Sequence, residues 1–359
     1  MVKILVVKPS SLGDLLNAAP AVELLSRAPS KPSISWVVNE EYTDFVKSFP
    51  GVAEVIPFPR QRMRWGSFPR WVPGIVRWLR GLRRDFQVAV DFQGLQRSGL
   101  MTRFSRAPER FGLRDARELG WIHYNRRILL SPECIHALDR CIDLAGQVLA
   151  RSAFLGCDPA AAGRELEFWK AGMGAWRLPV PEEHRSFAKA ALGDDGASRV
   201  ALCPGARWKS KLWPAESWID LVRRIRSAHP RIELLVLGGS GEVETATRIC
   251  EGSGDAVKSW AGETTPWQAA ALLERCRAAV TLDSALLHMA ASLGVPTVSL
   301  FGPTDPARLA PRGPGHRVLR RSGLECLACR ERRCPLPRRQ CLVDIPAEDV
   351  LEALESPSV

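Results

Sequence analysis

The chain of 359 residues carries 50 Lys and Arg against 39 Asp and Glu, with 46% hydrophobic and 25% charged residues and a formal net charge of +11. This composition excludes a mostly disordered chain and a collagen-like repeat, and no apolar run reaches the ~18 residues of a membrane-spanning helix. The length exceeds what one hydrophobic core usually supports, so two domains are expected. The opening residues 1–8 form too short an apolar core for a secretory signal and lack a small-residue cleavage site, which points to the cytosol. Reduced cysteines would agree with that location.

Residues 3–8 read as a buried strand, followed at once by a Pro-Ser-Ser-Leu-Gly-Asp turn and by helical spacing to about Ser26. Further strands are expected at 33–38, 52–57 and 87–91, with helical stretches between them. Between 60 and 84 the chain has eight arginines and no carboxylate, interleaved with Trp65, Phe68, Trp71 and Trp78. Such a segment suits nucleic-acid phosphates, an anionic membrane surface or a phosphorylated acceptor. It equally suits a solvated helix over 71–84 that packs its Trp and Leu on the core. No helix-turn-helix, zinc-finger or RNA-binding motif accompanies it, so nucleic acid is the weakest of these. The charge is uneven, with a net +8 over residues 1–176 and +3 over 177–359.

Near residue 175 the periodicity weakens, and Pro179, Pro181, Gly193 and Gly196 punctuate the chain. A second alternating series then follows: strands at 199–203, 232–237, 278–282 and 297–301, and a helix at 214–228. Strand–helix alternation implies parallel sheets flanked by helices. The expectation is an α/β chain with two Rossmann-like domains, 1–176 and 177–359, facing a central cleft. Ligands in such sheets bind at the carboxyl ends of the strands, so the strand-to-loop junctions are where chemistry belongs.

At the first junction, Gly13 permits a tight turn and Asp14 opens a helix. Asp14 is either an N-terminal residue favoured by the helix dipole or a general base. At 203–214, Arg207, Lys209 and Lys211 follow a strand and precede a helix, an arrangement suited to a diphosphate though not a P-loop. The glycine-rich run 238–241 is a weak signal and does not match the dinucleotide fingerprint, which argues against an NAD-linked oxidoreductase. At 281–288, Asp283 and Ser284 can cap a helix and His288 lies one turn on, so helix amides, Ser284 and His288 can together receive a phosphate.

Taken together these segments resemble glycosyltransferase family nine, the ADP-heptose:lipopolysaccharide heptosyltransferases, over most of the chain. The resemblance rests on Lys8-x-Ser10-Ser11-Leu12-Gly13-Asp14, Asp91-x-Gln93-Gly94-Leu95 and Gly205-x5-Lys211-x-Trp213-Pro214. It continues through Ala261-Gly262-Glu263-Thr264, Asp283-Ser284-x3-His288 and Phe301-Gly302-Pro303-Thr304. It implies a GT-B fold with acceptor bound by the N-terminal domain and sugar nucleotide by the C-terminal one. It also implies inverting transfer of heptose from ADP-heptose to Kdo-lipid A or heptosyl-Kdo-lipid A, with no cofactor required for catalysis. By position, Asp14 resembles the catalytic base and Lys211 a catalytic and donor-binding cation. Glu242, Thr264, Asp283, Ser284 and His288 resemble the rest of the donor set.

Ser10, Ser11, Arg60, Arg62, Arg64, Gln93 and Arg117 are expected on the acceptor side, and the stretch Tyr124-Asn125-Arg126 looks acceptor-facing. The partners implied are ADP-heptose, an anionic lipopolysaccharide precursor and the cytoplasmic surface of the inner membrane, without nucleic acid. The lysine loop, with Ala206-Arg207, looks more like the second heptosyltransferase, and the N-terminal motif more like the first, so the acceptor stays open. Two alternatives remain: a family-nine transferase of another sugar nucleotide or glycolipid, and a basic metal-knuckle protein that binds nucleic acid.

Cys326, Cys329, Cys334 and Cys341 form an insert at 326–341 among several arginines. A Cys-x2-Cys knuckle with two further thiols suits a structural zinc, and an iron–sulfur centre also takes four thiolates. A reduced or disulfide-linked loop, or one that meets the acceptor, is the alternative. Most of the six scattered cysteines read as small core hydrophobes.

Overall fold

Lys-Ile-Leu-Val-Val forms β1 (Lys3–Val7), whose last four residues are fully buried, as a parallel strand covered on both faces requires. In the computed structural model, which describes residues 1–63, 72–171, 176–194, 196–254, 257–336 and 338–356, β1 lies at the middle of a six-stranded sheet. Its companions are β2 (Ser33–Asn39), β3 (Val52–Phe58), β4 (Val88–Asp91), β5 (Glu109–Leu113) and β6 (Arg126–Ile128), in the order β3-β2-β1-β4-β5-β6. All neighbours pair in parallel. The helices of this unit are α1 (Leu12–Ser26), α2 (Thr43–Lys47), α3 (Val72–Gly81), α4 (Gln96–Phe104), α5 (Ala137–Arg151) and α6 (Pro159–Ala171).

The chain divides into Met1–Met173 and Gly174–Val359. The second unit repeats the plan with β7 (Arg199–Cys203), β8 (Glu233–Val236), β9 (Val257–Ser259), β10 (Ala278–Leu282), β11 (Thr297–Leu300) and β12 (His316–Leu319). Its parallel order is β12-β11-β10-β7-β8-β9. Its helices are α7 (Glu182–Leu192), α8 (Ala215–Ala228), α9 (Val243–Ser253), α10 (Pro266–Glu274), α11 (Ala285–Leu293), α12 (Pro306–Leu309), α13 (Gln340–Val343) and α14 (Ala347–Glu355). Trp218, Leu221, Val222 and Ile225 of α8 pack with Val200, Leu202 and Val236 of the sheet and with Val350 of α14. Two Rossmann-ordered units make this the α/β, GT-B class that the resemblance implies.

Each sheet reverses its strand order once, between β1 and β4 and between β7 and β10. Crevices at the carboxyl ends of such pairs are where open α/β sheets bind ligands. Sequence reading missed β5, β6, β9 and β12. These are short outer strands with polar members such as Glu-Arg-Phe-Gly-Leu and Arg-Arg-Ile, and their apolar runs are too brief to stand out.

The arginine–tryptophan segment splits. In α3, Leu79 is buried, and the Trp78 indole donates to the Pro57 carbonyl at 2.8 Å with its ring edge-on to Phe58. Arg84 pairs with Glu54 at 2.5 Å. This portion packs on the core, as the helical reading has it. Arg64, Trp65, Phe68 and Trp71 lie outside the described residues.

Candidate active site

The turn after β1 places Asp14 on the first turn of α1, half-exposed. One carboxylate oxygen accepts from both the Ser11 amide at 2.8 Å and the Ser11 hydroxyl at 2.9 Å. The other lies 3.5 Å from the Lys8 ammonium, which also donates to the Phe92 carbonyl at 3.1 Å. Lys8 is almost wholly buried. Burial disfavours its charge, but Asp14 above all, with Cys141 and Asp91, outweighs it and holds the ammonium above the ordinary lysine pKa. Ser10 is buried in the same turn.

Asp91 ends β4, 1% exposed, and its carboxylate takes the Tyr124 hydroxyl at 2.6 Å and the amides of Gln93 and Gly94 at 2.8 and 3.0 Å. Burial raises its pKa against these donors. Tyr124 is therefore a buried strut and not an acceptor-facing group. Gly112 lies so close beneath its ring that an added Cβ would fall 2.2 Å away. Asn125 serves the backbone, bonding the Arg110 amide and the Pro108 carbonyl, while Arg126 reaches Glu109 at 3.3 Å.

Gln93 stands beside Asp91, and its side-chain oxygen is buried with no hydrogen-bond partner among the described residues. Arg117 is exposed, and its amide bonds the Gly94 carbonyl at 2.9 Å, which brings it to the same loop cluster. Arg60 follows β3 and faces Arg97, a cation that sequence reading passed over. Burial, then the like charge of Arg60, lower the Arg97 guanidinium's pKa. Arg62 is described only as part of the turn Arg60–Met63.

At the second switch point Lys211 forms an ion pair at 2.6 Å with the buried Asp283, and the Thr304 hydroxyl donates to the same Asp283 oxygen at 2.6 Å. The Lys211 ammonium also lies 4.6 Å over the Trp208 ring. Ser284 precedes α11 in extended conformation, and its hydroxyl oxygen is buried without a partner among the described residues. His288 follows one turn on. A cation, a helix amino end and an unsatisfied hydroxyl in one place suit an anionic oxygen ligand.

Glu242 lies over Gly205, where an added Cβ would fall 2.5 Å from its Cγ, and accepts from the Gly239 amide at 2.7 Å. Gly262 bonds the Gly238 carbonyl at 3.0 Å, which sets the Thr264 loop beside the Glu242 loop. The donor candidates thus occupy two adjoining clusters: Lys211, Asp283, Ser284 and His288 at β7 and β10, Glu242 and Thr264 at β8 and β9. Trp213 belongs to the core, bonding Ile345 and packing edge-on to Trp218.

Cys326, Cys329, Cys334 and Cys341 line one cavity of about 40 Å³ together with Ser210, Pro303, Pro335 and Leu336. Burial, and then Cys334, Cys326 and Cys329, raise the Cys341 thiol's pKa. Among the described residues, no three or more His, Cys, Asp or Glu side chains are drawn together as a metal-holding set. The segment grips the lysine loop: the Ser210 hydroxyl donates to the Glu331 carbonyl at 2.6 Å, and Arg339 donates to the Lys209 carbonyl. Arg330 bonds the Pro303 carbonyl at 2.8 Å, next to Thr304.

Among the described residues no helix is long and apolar enough to cross a membrane. Residues 75–339 match the family model for glycosyltransferase family 9 (heptosyltransferase). The chain is 30% identical over 97% of its length to lipopolysaccharide heptosyltransferase 1 of Pseudomonas aeruginosa, covering 93% of that protein. It is 26% identical over 99% of its length to lipopolysaccharide heptosyltransferase 2 of Salmonella typhimurium, covering 98% of it. Among solved structures it superimposes on ADP-heptose lipopolysaccharide heptosyltransferase II of Escherichia coli, with a TM-score of 0.72, 25% identity, and coverage of 98% of this chain and 97% of that one. With the family model covering well over half of the chain and both switch points bearing the motifs named above, the chain belongs to glycosyltransferase family 9, the heptosyltransferases.

Proposed function

We propose that this chain is an inverting transferase that moves heptose from ADP-heptose to the inner core of a lipopolysaccharide precursor, with Asp14 as general base. The observation that carries the reading is the contrast between the two switch points. One holds a half-exposed carboxylate on Ser11 and Lys8; the other holds a largely buried lysine and, at a helix amino end, a hydroxyl with no partner among the described residues. The first suits deprotonation of an acceptor hydroxyl. The second suits the charge that builds on a departing diphosphate.

Gln93, Arg60, Arg117, Ser10 and Ser11 stand on the side assigned to the acceptor, where arginines match its phosphates and carboxylates. Glu242 and Thr264 are assigned to the nucleoside end of the donor, carboxylates being good acceptors for ribose hydroxyls. The relatives named first and second heptosyltransferases both match this chain, so Kdo-lipid A and heptosyl-Kdo-lipid A are both carried forward as acceptors.

The test is ADP release from ADP-heptose with each acceptor in turn. Asp14→Asn is expected to lower turnover by about 10²–10⁴-fold, the usual worth of a general base, in a protein that still folds. Full activity in that variant removes Asp14 from the role. Turnover only with another sugar nucleotide assigns the chain to a different donor within the family.

The four thiols are read as a structural zinc or iron–sulfur site. Their residue types and shared cavity support this. Bound metal would supply a fixed cross-link of the loop. Purified protein holding under about 0.2 equivalents of zinc or iron sinks it, since four thiolates bind such ions tightly. The enzyme is further placed at the cytoplasmic face of the inner membrane, where anionic lipid meets its basic N-terminal half.

A further inference from the structure

Lys8 is 7% exposed, and a buried ammonium persists only where partners hold it. Its partners here are the Phe92 carbonyl at 3.1 Å and Asp14 Oδ1 at 3.5 Å. Asp14 Oδ2 is already taken by both donors of Ser11, so each oxygen of the carboxylate is engaged. Charged and titratable groups reach the pair from each side. Asp91, with Tyr124 bonded to it, comes from the end of β4. Cys141 comes from α5, its thiol pushed up to about 11 by burial, with Asp139 and Arg140 acting on it from the same helix. Arg140 itself is engaged with Asp115 at 2.6 Å. A carboxylate with a cation at this distance favours its ionised form.

We propose that Lys8 is the positioning residue of the base, holding Asp14 ionised and its Oδ1 oriented for the acceptor hydroxyl. The inference rests on the Asp14 reading above. In the step it serves, the acceptor O–H bond breaks and its proton passes to Asp14. The oxygen's electron pair forms the new bond to the anomeric carbon, and the bond from that carbon to the diphosphate breaks, its pair leaving on ADP.

Removing the cation makes Asp14 hold its proton to higher pH. The experiment is therefore the pH profile of kcat, followed by ADP release, for wild type, Lys8→Met, Lys8→Gln and Lys8→Arg. Both neutral variants are expected to move the acid limb upward by about one unit, the low end for an opposite charge near a half-exposed carboxylate. Lys8→Arg is expected to keep the limb near its wild-type position. Lys8→Gln retains a donor for Phe92 and serves where Lys8→Met does not fold. A loss of activity that is uniform with pH, with the limb unmoved in the neutral variants, overturns the proposal. An inactive Asp14→Asn combined with unmoved limbs sinks Lys8 alone, whereas a fully active Asp14→Asn sinks the base reading beneath it.

Discussion

Lys211 and Asp283 stand 72 positions apart in the chain, yet their charged atoms lie 2.6 Å apart. Asp283 is buried and Lys211 largely so, so removing one partner leaves the other charge poorly compensated. Lys211→Met is therefore expected to lower both thermal stability and ADP affinity, the latter by about 1.5–3 kcal/mol, or roughly 10- to 100-fold in Kd. The double variant Lys211→Met, Asp283→Asn separates the two effects. Calorimetry should find its stability partly restored and its ADP affinity still low. Recovery of ADP binding would make the lysine structural only. Lys211, Asp283 and Asp14 were legible as candidates because each follows a buried strand, where residue type and junction coincide. Tyr124 was not: a tyrosine beside arginines looks like a ligand group until its hydroxyl is found on Asp91, 33 residues away.

Elements differ in how plainly they announce themselves. β1, β4, β7 and β10, central and covered on both faces, are almost wholly apolar and buried. β6 has two exposed arginines in three residues and forms through its pairing with β5. The cysteine segment depends still more on its neighbours, since it contains little regular structure and is anchored by Ser210, Lys209 and Pro303. Because those residues flank Lys211 and Thr304, loosening the segment should reach the donor side. Cys341→Ser, which alters the cavity wall against Gly302, is expected to weaken ADP binding by on the order of 1 kcal/mol, as coupled neighbours do. Titration of ADP into wild type and variant checks this, and equal affinities would uncouple the segment from the donor.

At the scale of the whole molecule, the excess charge lies mainly in residues 1–176. There Leu119 and Leu129 are 61% and 70% exposed, near Arg114, Arg117 and Arg127, and Arg127 stacks over Trp121 at 4.7 Å. Apolar side chains among arginines suit an anionic bilayer surface. The full chain is expected to co-sediment with vesicles containing anionic lipid and not with zwitterionic ones, and to be released as salt rises toward 1 M, where screening shrinks to about 3 Å. Leu119→Ser with Leu129→Ser should weaken that binding; binding unaffected by salt would exclude the electrostatic attachment. The sequence by itself determined the two-domain α/β plan, the strand-to-loop junctions that hold the candidate residues, the uneven charge and the family, because each is expressed within a short window of residues. The tertiary structure alone decided that Trp78 packs on the core, that Tyr124 braces Asp91, that four cysteines share one cavity, and that Lys8 touches Asp14. Those contacts depend on strand order and loop packing, which bring distant positions together and leave no local periodicity to read.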